Sequence, residues 1–189
     1  MTKTLLKTGL AAFALVAAAT PALAKSHTEM KNPMVGGAAM LSSRDIIDNA
    51  VNSKDHTTLV AAVKAAGLVE TLKGPGPFTV FAPTNAAFGK LPAGTVGTLV
   101  KPENKGTLTS ILTYHVVAGR MTSTDIAKAI KAGKGKAVLT TVNGGTLTGS
   151  MMGKRLMLTD AKGGKSHVTI ANVKQSNGVI HVVDTVLMP

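Results

Sequence analysis

Apolar residues fall into three regimes along this chain. An unbroken apolar stretch runs from Leu10 to Ala19. From about residue 42 to residue 131, apolar positions recur at the three- and four-residue spacing of helices. From Ala137 onward they alternate with polar ones, as in half-buried strands. In the helical regime one helix is predicted to begin near Ser42–Arg44, with Ile46, Ile47, Ala50 and Val51 on one side. A second is predicted from about Thr57: Leu59, Val60 and Val63 repeat at helical spacing, and Gly67 suits the left-handed residue past a helix end. Pro102 to Gly106 leads into a third, where Leu108, Ile111, Leu112 and His115 fall at i, i+3, i+4 and i+7. Thr124 is predicted to cap a short helix through Lys131 that closes near Gly133.

In the strand regime, Val138 to Val142 faces Thr146 to Thr148 across Asn143-Gly144-Gly145, a hairpin pattern. Arg155 to Thr159 alternates, turns at Lys162-Gly163-Gly164, and His167 to Ala171 alternates again. Helices gathered in the first half and strands in the second predict an α+β fold.

Two apolar runs stand outside this simple division. Thr79-Val80-Phe81-Ala82-Pro83-Thr84-Asn85-Ala86-Ala87-Phe88 reads as a buried strand broken at Pro83, with Thr84 as the N-cap of a short helix. Asn177-Gly178-Val179-Ile180-His181-Val182-Val183-Asp184-Thr185-Val186-Leu187-Met188-Pro189 starts from an Asn-Gly turn and stops at a proline. The two are expected to meet in space, because a strand at a terminus stays ordered only when tied into a sheet. Together with Tyr114-His115 they resemble the end motifs and the Tyr-His motif of fasciclin-like domains, over about residues 40 to 189. The resemblance implies a seven-stranded β-wedge or sandwich flanked by several α-helices. It also implies an adhesion or matrix module without catalytic chemistry.

The opening stretch changes the picture of location. Lys3 and Lys7 precede the apolar run, and Ala22-Leu23-Ala24 is a small-x-small cleavage pattern, so residues 1–24 read as a signal peptide. The run is too short for a membrane span, and no transmembrane anchor is expected. Residues 25–41 read as a flexible lead, and residues 42–189 as the folded domain. The expected location is the periplasm or the outside of the cell. The chain has no cysteine, which excludes disulfides, thiol nucleophiles and thiolate metal sites.

Charge is distributed unevenly. Residues 126–189 carry 9 Lys and Arg against 2 Asp, a net +7, whereas residues 25–125 carry 10 basic against 7 acidic groups, a net +3. No acid lies between Asp125 and Asp160. Such a field favours anionic partners; lysines that merely keep a secreted domain soluble are the plainer reading. Export makes nucleic acid an unsuitable partner. An envelope or matrix protein or an anionic polysaccharide remains. Lys128, Lys131, Lys134 and Lys136 place four cations within nine residues and are candidate partner-binding groups.

The chain contains no nucleophile elbow, phosphate loop, zinc-protease helix or dinucleotide fingerprint, so no enzyme activity and no cofactor are expected. Asp45 and Asp48, three apart on a predicted helix, are a weak acid–base candidate beside a solvated face. For Tyr114 and His115 the resemblance implies partner binding, attributed to integrins in animal members. The residues themselves place His115 on an apolar helix face, where a ring N–H pins two elements together. Asp125-Ile126 resembles the family's Asp-Ile recognition pair, and Asp125 beside a cap also suits the helix dipole.

Met121, Met151, Met152 and Met157 either fill a core or shape an apolar cleft. Algal members of the family hold carotenoids, so a carrier of an apolar small molecule is the alternative function. Finally, cleavage after Ala24 leaves Lys25-Ser26-His27, whose amine, amides and His27 suit a square-planar Cu(II) or Ni(II) site, with Met30, Met34 and Met40 available to Cu(I).

Overall fold

The computed structural model describes residues 32–189. The predicted signal peptide and the Lys25-Ser26-His27 metal site lie outside the described residues. A small hairpin, β1 (Met34–Val35) and β2 (Ala38–Ala39), is followed by α1 (Ile46–Ala50), α2 (Thr57–Ala66) and α3 (Val69–Lys73). Then come β3 (Phe78–Pro83), α4 (Asn85–Gly89), α5 (Thr95–Leu99), α6 (Lys105–Tyr114) and β4 (Val116–Ala118). After α7 (Ser123–Ala132) only strands remain: β5 (Lys136–Thr140), β6 (Thr146–Met152), β7 (Arg155–Thr159), β8 (Lys165–Gln175) and β9 (Gly178–Val183).

Apart from the hairpin, the strands form one seven-stranded sheet in the order β4-β3-β9-β8-β7-β6-β5. β3 and β9 run parallel, in register from Phe78 opposite Gly178 to Pro83 opposite Val183. The two apolar motifs are therefore neighbours in the interior of the sheet. Gly178 is required there: a Cβ would lie 2.3 Å from the Phe78 carbonyl oxygen. β8 pairs first with β7 and then with β9, and shifts register between Val168 and Ile170 and between Ile170 and Val173. Such shifts bend a strand. The bend lets the sheet curl until its ends touch, at a bridge between Val117 and Thr141. The result is an α+β fold built on a nearly closed seven-stranded wedge.

The interior strands β3 and β9 carry a core on each face. Val80, Ala82, Ile180 and Val182 pack under α1, α2 and α6 with Leu59, Val63, Ile111 and Leu112. Phe81 and Val183 point the other way, into the wedge, against Leu139, Leu147, Leu158 and the α7 residues Ile126 and Ile130. Burial on both faces explains why these two motifs are apolar without alternation. Each fully buried Phe or Leu contributes about 1.5–3 kcal/mol.

Local signals in the sequence explain most element ends. Thr84 caps α4 by accepting from the Ala87 amide at 3.2 Å, and Gly67 ends α2 at φ 72°. Three expectations change. The first helix starts later than Ser42–Arg44, because Asp45 is its N-cap and accepts from the Asp48 amide at 2.8 Å; Val51 ends it exposed to solvent. The last helix is capped by Thr122 and not Thr124: the Thr122 hydroxyl and the Asp125 carboxylate exchange hydrogen bonds with each other's backbone in a capping box. The domain also reaches further back than residue 42. Val35 and Met40 are buried in the helical-side core, so residues 34–40 belong to the fold and are not a free lead.

Candidate functional site

The Tyr-His pair sits at the end of α6, buried between the two halves of the molecule. The His115 amide bonds to Leu112 and leaves the Ile111 carbonyl without its usual donor. The His115 ring supplies it: Nδ1 lies 2.9 Å from the Ile111 oxygen. Nε2 accepts from the Leu187 amide at 3.0 Å. These partners fix a neutral ring with its hydrogen on Nδ1. Tyr114 donates its hydroxyl to the Thr146 carbonyl at 2.6 Å and accepts from the Ala161 amide at 3.0 Å. Burial pushes its pKa up. His181 makes a matching connection, with Nε2 2.9 Å from the Met121 carbonyl and its ring stacked on Phe81.

The sequence-derived binding role for Tyr114, His115 and Ile126 is therefore corrected. All three are buried, at 1%, 2% and 0% exposure, and present no group to a partner. Asp125 is exposed, but its carboxylate is held by the Thr122 hydroxyl and amide, which keep its pKa below the ordinary value. Asp45 caps α1, and Asp48 pairs with Lys73 at 2.9 Å, so neither is poised for catalysis. Met40 is buried and unavailable to a metal, whereas Met34 is exposed.

Burial pushes the His115 pKa down to about 4, and lowers those of His56 and His181 as well. Above the ordinary value of 6.5 these rings are neutral in the folded and unfolded chain alike. Below it the unfolded chain takes up protons that the folded chain refuses. Stability is thus expected to fall between pH 6.5 and about 4, with His115 alone contributing roughly 3 kcal/mol. Urea unfolding measured across this range checks the claim; a flat profile would contradict it.

The lysines stand differently. Lys128 and Lys131 are exposed on α7, Lys134 lies in the following turn and Lys136 opens β5, all in solvent. Among the described residues none of the four is in an ion pair. Asp160, the one acid between Asp125 and Asp184, is turned inward. Its carboxylate accepts from the amides of Lys162, Gly164 and Met188 at 2.7–3.0 Å. The structure adds three groups that sequence reasoning did not single out. Lys154, Arg155 and His167 flank a cleft of about 690 Å³, beside Met151, Met152 and the start of α7. Asp184 sits on its rim, 3.4 Å from His167 Nδ1 and 3.8 Å from Lys90. The alternation of Arg155 with buried Leu156 and Leu158 was the signal that Arg155 faces out.

A second, apolar cavity of about 40 Å³ lies in the helical-side core, between α1, α2 and the sheet. Ligand pockets for small molecules run to about 300–1,000 Å³. Among the described residues no helix is long and apolar enough to cross a membrane.

The fasciclin domain family model matches residues 54–189. Protein sll1483 of Synechocystis sp. is 45% identical over 182 residues, covering 96% of this chain and 93% of that protein. The immunogenic protein MPB70 of Mycobacterium bovis is 39% identical, over 74% of this chain and 66% of its own length. The cell surface glycolipoprotein MPB83 of the same species is 37% identical, over 82% and 64%. Among solved structures, the domain pair of the insect cell adhesion molecule fasciclin I superposes with a TM-score of 0.68 at 19% identity, covering 77% of this chain and 51% of that one. That likeness concerns the fold.

Proposed function

The chain belongs to the fasciclin domain family, and on that premise we propose that it is an exported, non-catalytic adhesion module that binds an anionic component of the cell envelope or matrix. One observation carries the reading: Lys128, Lys131, Lys134 and Lys136 are exposed and, among the described residues, without ion pairs, while the neighbouring acid Asp160 is buried and its carboxylate accepts from three backbone amides. The potential of this half is therefore open to a partner and is not neutralised internally. The name of one relative, a cell surface glycolipoprotein, supports placement at the envelope. The apolar-carrier alternative has less support: the apolar cavity of about 40 Å³ has no room for a carotenoid, and the cleft of about 690 Å³, though bordered by Met151 and Met152, is also lined by the charged or polar Lys154, Arg155, His167 and Asp184.

Retention on an acidic polysaccharide is expected at low salt. It should fade as the screening length shortens from about 10 Å at 0.1 M to about 3 Å at 1 M. Reversing the four lysines to glutamate should abolish retention and leave the melting temperature near that of the parent. Retention that survives 1 M salt would point to an apolar or shape-specific surface instead, and salt-sensitive retention that survives the four reversals to the other cations of this half.

A further inference from the structure

Over Lys136–Thr140, Arg155–Thr159 and residues 146–150 and 165–168, buried positions alternate with half-buried or exposed ones; Met151 departs from the alternation, 41% exposed. Ala137, Leu139, Leu147, Leu156, Leu158 and Ser166 point into the wedge, and α7 closes that side through Ile126 and Ile130. The opposite face is open to solvent, with Val138 68% and Met152 56% exposed. The register aligns its side chains in rows across the four strands. Lys136 lies opposite Ser150, Ser150 opposite Met157, and Met157 opposite His167. The adjoining row is Val138, Thr148, Thr159 and Lys165. One further pair on each side, Thr140 with Thr146 and Met152 with Arg155, completes the face.

Two properties of this face are unusual together. No position on it is acidic, and cations stand at its margins: Lys136 on β5, Arg155 at the start of β7 and Lys165 at the start of β8. Asp160, in the β7–β8 turn, is buried and bonded to backbone amides. Between the cations lies a field of hydroxyls from Thr146, Thr148, Ser150 and Thr159, repeating about 4.8 Å across strands and about 6.8 Å along them. The face has no Phe, Tyr or Trp, so it lacks both the aromatic-rich centre on which protein partners usually dock and a stacking platform for sugar rings, and its recognition chemistry is its cations and hydroxyls. Arg155 and His167, at its edge, also border the 690 Å³ cleft, whose other walls include the start of α7, Leu156 and Val168 on the wedge side, with Asp184 on the rim.

We propose that the outer face of β5–β8 is the docking surface, and that its occupant is a linear anionic polysaccharide bearing carboxylate groups. Arg155, Lys165 and Lys136 meet the carboxylates, and the Ser and Thr hydroxyls exchange hydrogen bonds with the sugar hydroxyls. This rests on the polyanion reading above and assigns it a surface: the sheet face, with the α7 lysines contributing only long-range attraction.

The test compares variants of equal charge change by calorimetric titration with polygalacturonate, using neutral dextran as the control. Arg155→Glu with Lys165→Glu should weaken binding at least about tenfold, and Lys128→Glu with Lys131→Glu less than about threefold. Thr148→Val with Thr159→Val should weaken binding several-fold with no change in charge. All substituted cations are exposed, so melting temperatures should stay near the parent's. Equal losses from the two charge pairs, with the valine variant binding as the parent does, would overturn the face and leave the polyanion reading intact. A parent that binds polygalacturonate no better than dextran would overturn both.

Discussion

Removing residues 178–189 is expected to leave a chain that does not fold. The segment supplies β9, which hydrogen-bonds to β3 on one side and β8 on the other. It also supplies Val179, Ile180, Val182, Val183, Val186 and Leu187, all buried; Ile180, Val182 and Val186 pack in the helical-side core and Val183 and Leu187 inside the wedge. At about 1.5–3 kcal/mol for each buried aliphatic side chain, their loss matches or exceeds the roughly 5–15 kcal/mol by which a whole domain is stable. Two strands would also lose their hydrogen-bond partners in the interior, and unpaired buried amides cost further free energy. Calorimetry should therefore show no cooperative transition for the truncated protein. A cooperative melt near the full-length temperature would show that the wedge stands without β9.

Replacing His115 with alanine should destabilise the protein by roughly 3 kcal/mol at neutral pH. The ring satisfies two groups that nothing else reaches, the Ile111 carbonyl at the end of α6 and the Leu187 amide near the C-terminus. Alanine strands both in a dry interior and leaves a void, and each orphaned group costs about 1–3 kcal/mol. The same variant should lose much of the acid sensitivity between pH 6.5 and about 4, because the unfolded chain no longer gains a proton there that the folded chain refuses. Urea unfolding at several pH values reads both effects. A His115→Ala protein as stable as its parent, with an unchanged pH profile, would mean that the ring pins nothing.

The fasciclin-like wedge was legible because its signals are local and redundant. The two apolar motifs had the composition of buried strands and were expected to meet, and they do lie side by side. The Asn143-Gly144-Gly145 turn announced the β5–β6 hairpin. Element ends are ambiguous where competing local signals lie close together. Thr122 and Thr124 are both acceptable caps, and only the reciprocal bond with Asp125 decided for Thr122. Residues 34–40 looked like a lead because two-residue strands leave no periodic trace, yet Val35 and Met40 complete a core built mainly by residues far along the chain.

The site was harder, because a motif shared with relatives does not say whether a side chain is inside or outside. Tyr114, His115 and Ile126 carry such letters, and the packing of α6 and α7 against the sheet buries them. What the sequence by itself determined was the chemistry in hand: no thiol, few rings, and an excess of cations with scarcely an acid in the last third of the chain. What only the tertiary structure decided was where that chemistry faces. Cross-strand register gathered Lys136, Arg155 and Lys165, nearly thirty residues apart along the chain, onto one open face, and the β7–β8 turn folded Asp160 away from it. Register depends on long-range pairing and on which side of each strand the core claims, and neither is written in any short stretch of residues.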